Sequence, residues 1–297
     1  MTPPILKPAD QIRIISPSGA INPEYIEGAC KLLANLGYQV SEGKYARTEY
    51  GRFAGTPEQR IADLQEALDD PEVKAILCSR GGYGISQIID KIDFSHFIES
   101  PKWLIGFSDI TILHNAITNL GIASIHGIMA KHMTEFPADS EPALRLQKIL
   151  TGEFTSYRIP PQAQNKIGKS EGKLIGGNLS VLMGLRGSQF DLNYKNAILF
   201  IEDIGEEPYH IDRMLQNLRF SSVLAQLSGL ILGQFSDCEE DPSMMQTLQE
   251  MISFTVEEYD FPVCFNFPAG HVDYNLPLIM GATIRLDVKQ DEVLIKF

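Results

Sequence analysis

Strand-length apolar runs alternate with helix-length amphipathic ones through the first 120 residues, and this alternation constrains the fold more than any other feature of the chain. Residues 12–16 read as a strand that turns at Pro17, Ser18 and Gly19. Residues 22–36 carry Tyr25, Ile26, Cys30, Leu32 and Leu33 at helical spacing, and Gly37 stands where a glycine ends a helix. A second strand begins at 38–40. Thr56, Pro57 and Glu58 open a helix with a capping threonine and a first-turn proline, and Ile61, Leu64 and Leu68 share its apolar face. A strand over 73–78, a helix over 85–92, a strand over 103–105 and a helix over 110–120 continue the series. Parallel strands need crossovers of this length. The pattern therefore predicts an α/β fold on a parallel sheet, with ligands at the carboxyl ends of the strands.

The periodicity lapses from about 134 to 170, where Pro137, Pro142, Gly152, Pro160, Pro161 and Gly168 accumulate. It resumes with a strand over 173–175, then Gly176, Gly177, Asn178 and a helix to 185. Strands over 197–201 and 227–232 alternate with helices over 211–218 and 244–257. Residues 282–288 and 293–297 read as an antiparallel hairpin. The expected organisation is an N-terminal α/β domain over 1–135, a linker over 136–170, and a smaller C-terminal α/β domain with a mixed sheet over 171–297. A formal charge of −13 argues against nucleic acid or an anionic membrane as partner and leaves small molecules and peptides. Cys30, Cys78, Cys238 and Cys264 lie far apart. Cys78 and Cys264 fall in apolar runs and read as buried free thiols. The histidines show no metal-ligand spacing, so neither metal nor cofactor is expected. The first residues lack a signal-peptide pattern and no run approaches the ~20 apolar residues of a membrane span, so a cytoplasmic protein is expected.

Reactive residue types recur at the ends of the expected strands. Ser108 follows an apolar run and Gly106 and precedes a helix, which is the local pattern of a strand-to-helix turn that holds up a nucleophile. The helix start beside it offers amides and a positive dipole end to an oxyanion; an ordinary N-cap serine fits the same pattern. The loop Ser79, Arg80, Gly81, Gly82, Tyr83 and Gly84 leaves its backbone bare and suits either a tight turn or a substrate clamp, but matches neither phosphate-binding nor dinucleotide-binding patterns. Glu202 ends a run of four apolar residues and needs a partner if buried, whereas Asp203, Glu206 and Glu207 read as solvated loop charges. His271 follows Gly270 after a strand over 262–265, and His126 is its rival as general base. A serine needs a base, and the base an orienting acid; Ser108, His271 and Glu202 supply that set. Their order is that of α/β-hydrolases. Their spacing is not, and Ile110 replaces the second glycine of the elbow pattern.

Assembled in order, these pieces resemble the LD-carboxypeptidase family, serine peptidases of the murein tetrapeptide carboxypeptidase and microcin-immunity type. The resemblance runs from Ser16 through Gly19, Phe53 through Thr56, Arg60 and Asp63, then Arg80 through Gly84, Gly106 through Asp109, and His126 with Gly127. It continues at Gly176 through Leu179, Glu202 with Asp203, Ile211 through Arg213, Gly270 with His271, and Leu276 with Pro277. It implies Ser108 as nucleophile, His271 as general base and Glu202 as its orienter. The amides of Asp109, Gly81 and Gly82 would form the oxyanion hole. It further implies an N-terminal domain like that of class I glutamine amidotransferases, a homodimer, and a metal-free reaction. The implied substrate is the cytoplasmic muropeptide L-Ala-γ-D-Glu-meso-diaminopimelate-D-Ala, cut before its terminal D-alanine in cell-wall recycling. Arg80 is the candidate for the substrate carboxylate, or else a brace for its own loop. The rival readings are an immunity-type hydrolase of peptide-nucleotide conjugates and a non-catalytic two-domain binding protein.

Overall fold

The computed structural model describes residues 1–153 and 156–297. In chain order its strands are β1 (Gln11–Ile15), β2 (Gln39–Glu42), β3 (Val73–Cys78), β4 (Trp103–Gly106), β5 (Ser124–His126), β6 (Tyr157–Ile159), β7 (Gly168–Asn178), β8 (Ala197–Ile204), β9 (Gly229–Ser236), β10 (Val263–Cys264), β11 (Leu278–Met280), β12 (Thr283–Val288) and β13 (Val293–Lys296). They form two mixed sheets. The chain divides into two compact units, Met1–Phe154 with Asp273–Met280, and Thr155–Val272 with Gly281–Phe297.

The sheet of the first unit runs β11-β5-β4-β3-β1-β2. Its first five strands in chain order are parallel, with registers such as Ile15 opposite Cys78 and Gly106 opposite His126. Ile14, Ile15, Ile76, Leu77, Leu104 and Ile105 are all buried, the two-sided burial that parallel strands under helices require. The helix Pro23–Asn35 starts where the Asn22 side chain accepts the Glu24 amide, and the helix Pro57–Asp69 starts at a reciprocal capping box of Thr56 and Gln59. From β1 the chain winds one way to β2 and then crosses back past β1 to β3, so the strand order reverses between β1 and β3. Loops that leave the carboxyl ends of such neighbours diverge and open a crevice. The expected parallel sheet carries one antiparallel strand: β11 pairs with β5, Leu278 opposite His126 and Met280 opposite Ser124. The expected helix over 85–92 is instead two 3₁₀ turns, Ile85–Gln87 and Ile89–Lys91. Its apolar spacing suits short turns equally well.

The stretch 136–170 contains the helix Glu141–Leu150, strand β6 and the start of β7. Pro142 lies in that helix's first turn, where a missing N–H costs nothing. The second sheet runs β10-β9-β8-β7-β12-β13-β6. Its first four strands are parallel and the rest antiparallel, and β12 and β13 form the expected hairpin. Ile175, Leu199, Ile201, Leu215, Leu230 and Ile252 belong to one buried cluster that includes side chains from the helices Leu179–Leu185, Pro208–Phe220 and Leu248–Val256. Cys78 and Cys264 are free and buried, and burial pushes the Cys264 thiol up to about 12. Among the described residues no helix is long and apolar enough to cross a membrane.

Lys102, only 2% exposed, precedes β4 and donates to the Ala67 and Asp70 carbonyls at the end of the helix Pro57–Asp69, at 3.2 and 2.6 Å. Burial lowers its ammonium to about 8, against the opposing charge of Asp70. The unfolded chain holds this proton to about pH 10.4, so between about pH 8 and 10 only the folded state gives it up. Stability contributed by Lys102 therefore rises with pH across that window. Lys102→Met is expected to flatten this rise, read as urea midpoints at about pH 7.5 and 9.5.

Candidate active site

Parallel pairing brings the ends of β1, β3 and β4 level, so the loops that follow them meet in the first unit. Ser108 lies two residues beyond β4. It begins a 3₁₀ turn, Ser108–Ile110, that runs into the helix Thr111–Asn119. Its φ of +67° is in the left-handed region, which costs an L-residue about 1–2 kcal/mol. Strand, strained serine and helix start together form an elbow, in which the Ile110 amide donates to Phe107 O at 3.3 Å and the Thr111 amide to Ser108 O. Ile110 packs against Gly106, so its bulk fits at the position where the elbow pattern has its second glycine.

Gly81 lies against this serine. A Cβ built on it would stand 2.5 Å from Ser108 Cβ and 2.8 Å from Oγ, so only glycine brings this backbone so close. The loop is held at both ends. Gly81 O accepts the Gly19 amide at 3.0 Å, and at the far end Asp109 Oδ2 accepts the Ile85 amide at 3.0 Å. The same oxygen accepts Ser18 Oγ at 2.5 Å. Burial pushes the Asp109 carboxyl above the usual carboxylate range, against these bonds and the charge of Arg60. Arg60 is 1% exposed and donates to Gly84 O at 2.8 Å, Pro17 O at 3.2 Å and Gln87 Oε1 at 2.9 Å. Its guanidinium stacks 5.0 Å from the Phe53 ring centre.

In the second unit, Glu202 is fully buried in β8 and its Oε2 lies 2.8 Å from His271 Nδ1. The His271 side chain keeps 16% exposure. The loop carrying it is stitched to β9, with the Phe267 amide donating to Leu232 O and the Gln234 amide to Ala269 O. Gly270, at φ +127°, lets the backbone ride over the glutamate: a Cβ there would meet Glu202 Oε2 at 2.8 Å. A carboxylate that accepts from one imidazole nitrogen fixes the tautomer and leaves the other nitrogen able to take a proton.

Other expectations meet a different outcome. Asp203 is not a solvated loop charge. It is 1% exposed and accepts from Asn178 Nδ2 at 2.9 Å, the Ser180 amide at 2.8 Å and the Ile204 amide at 2.9 Å, anchoring the start of the helix Leu179–Leu185. Glu206, half-buried, faces His210 at 3.2 Å, while Glu207 is exposed. Arg80 is exposed and donates to Ala20 O at 2.6 Å, in the loop after β1 rather than in its own. His126 is fully buried, its ring 5.7 Å from that of Phe107 and 6.4 Å from that of His114. Arg60 and the Asp109 side chain were absent from the expected site. Arg60 and Leu64 are four residues apart on the buried face of one helix, and a charge on an apolar face is the signal that marks it.

These features define a class: a two-unit α/β enzyme with the side-chain types of acyl transfer. Profiles of the LD-carboxypeptidase N-terminal and C-terminal domains match residues 12–127 and 171–286. The chain belongs to the LD-carboxypeptidase family and is a carboxypeptidase of the serine type. A Bacillus subtilis protein named "Probable murein peptide carboxypeptidase" is 35% identical over 99% of this chain and 94% of its own. The crystal structure of muramoyltetrapeptide carboxypeptidase from Oxalobacter formigenes matches with a TM-score of 0.88 at 29% identity, over 96% of this chain and 97% of that one. An MccF-like protein from Bacillus anthracis also matches at 0.88, with 26% identity over 100% and 99%.

Two outcomes follow from the packing. Gly81→Ala is expected to lower kcat by about 100-fold with KM within about threefold, because it displaces the backbone beside Ser108 rather than a substrate-binding side chain. Asp109→Ala orphans the Ser18 hydroxyl, the Ile85 amide and the Arg60 charge, and is expected to cost roughly 2–4 kcal/mol in urea unfolding.

Proposed function

We propose that this enzyme is a cytoplasmic L,D-carboxypeptidase that removes the terminal D-alanine from the murein tetrapeptide L-Ala-γ-D-Glu-meso-diaminopimelate-D-Ala in cell-wall recycling. The observation that carries the reading is the Glu202–His271 pair, a buried carboxylate aligned on an imidazole that keeps partial exposure. In this reading Ser108 Oγ attacks the carbonyl on the L-centre of diaminopimelate and His271 Nε2 takes its proton. The oxyanion accepts from the Asp109 amide and from the Gly81–Gly82 backbone. His271 returns the proton to the departing amine as the C–N bond breaks. Water then cleaves the Ser108 ester, so one water is consumed per D-alanine released. Glu202 holds the His271 tautomer and stabilises the imidazolium. The murein names of the relatives support this substrate class, and assembly as a homodimer belongs to the same reading. The likeness to an MccF-like protein favours, as a second reading, hydrolysis of peptide-nucleotide conjugates.

The test is D-alanine release from this tetrapeptide, followed by mass spectrometry. The wild type is expected to release it. Ser108→Ala and His271→Ala are each expected to lose on the order of 10⁴-fold or more, and Glu202→Gln about 10³-fold, because the orienter acts through His271. Full turnover by Ser108→Ala would refute the nucleophile. Intact tetrapeptide with wild type, alongside cleavage of a peptide-nucleotide conjugate, would establish the second reading.

A further inference from the structure

Beside the glycine loop, wholly within the first unit, lies a cleft of about 650 Å³ lined by residues 19–23, Glu49, Gly51, Arg52, Arg80, Gly82 and Tyr83. It opens where the loops after β1 and β3 diverge, the reversal point at which open α/β sheets hold ligands. Its size suits a small polar ligand. Gly82 in its wall is one residue, about 3.8 Å, from Gly81, which abuts Ser108.

The cleft gathers three charged side chains, Glu49, Arg52 and Arg80. Arg13, Arg47, Arg145 and Arg285 all pair with carboxylates. Among the described residues, Arg52, Arg80 and Glu49 form no ion pair, although all three line one cleft and the chain carries a net charge of −13. Arg80 is also held in place through Ala20 O, leaving its remaining N–H groups for another acceptor. Two guanidinium groups and one carboxylate complement a group with its own carboxylate and ammonium. A simple cation or a simple anion satisfies only part of that set.

We propose that this cleft is a subsite for a zwitterionic α-amino-acid head, the free D-centre of the diaminopimelate side chain, with Arg52 and Arg80 facing its carboxylate and Glu49 its ammonium. The proposal rests on Ser108 being the nucleophile. The side chain of the residue whose carbonyl is attacked then extends beside Gly81, and its three methylenes carry the head about 5 Å from the peptide α-carbon, at ~1.5 Å per bond. A lysine side chain in the same place offers only the ammonium. The cleft thus selects diaminopimelate muropeptides over lysine ones.

Calorimetric binding to the Ser108→Ala protein tests this without turnover, using the tetrapeptides with meso-diaminopimelate and with lysine at the third position. The diaminopimelate peptide is expected to bind about 10- to 100-fold more tightly, the range for losing an exposed charge-assisted contact rather than a buried one. Adding Arg52→Gln and Arg80→Gln is expected to erase most of that preference by weakening only the diaminopimelate peptide. Glu49→Gln is expected to weaken both peptides alike. Equal affinity for the two peptides, or arginine variants that weaken both equally, overturns the subsite. D-alanine release by the wild type is read separately. A preference in binding without release would sink the proposed reaction and leave the subsite standing, and release without preference would do the reverse.

Discussion

One buried carboxylate, that of Asp109, joins the ends of three parallel strands. It accepts from Ser18 after β1 and from Ile85 after β3, and it belongs to the turn after β4. Three loops that parallel pairing only brings level are thereby fixed relative to one another. A carboxylate kept from water needs such donors, and Arg60 supplies the opposing charge from the helix Pro57–Asp69. The approach of Gly81 to Ser108 depends on this arrangement, because the loop can lie so close only if both of its ends are held. Local strain at Ser108 is tolerated for the same reason: its neighbours on both sides are over-determined.

The second unit uses strand alternation for a similar end. Successive residues of β8 point to opposite faces, so the adjacent acids Glu202 and Asp203 part company. Glu202 meets His271, while Asp203 gathers amides at the start of the helix Leu179–Leu185. One acid faces a group able to exchange protons, and its neighbour faces only fixed donors. Burial raises the Asp203 carboxyl, and its bonds work against that shift. Two identical charges side by side in sequence thus have different chemistry because the backbone between them is extended.

The legible parts of the sequence were those carried by short-range pattern. Ser108 stood out because an apolar run, Gly106 and a helical period meet at one residue, and Glu202 because a charge closed an apolar run. Both signals survive in the structure as an elbow and a buried acid. The burial of Asp203 leaves no such mark, because polarity at a strand end also marks solvated loops and its donors Asn178 and Ser180 lie far off in sequence. The helix Glu141–Leu150 was hidden by Pro142, which breaks a helix everywhere except where it sits. Strand β11 has three residues and follows a proline, too short for any period to show. The role of the Asp109 side chain was invisible for the same reason as that of Asp203: long-range hydrogen bonds leave no periodic trace.

Strand β11 has a consequence for the covalent path of the chain. Residues 273–280 return to the first unit directly after His271, and 281–297 then return to the second. The chain therefore passes between the units three times, and neither unit is a continuous stretch of sequence. A fragment ending near residue 153 would lack β11 and expose the edge of β5, where His126 and Ser124 are paired in the intact chain. The two units of this chain therefore cannot be parted by a single cut. Any exchange of one half between relatives must carry the eight residues 273–280 with the first unit.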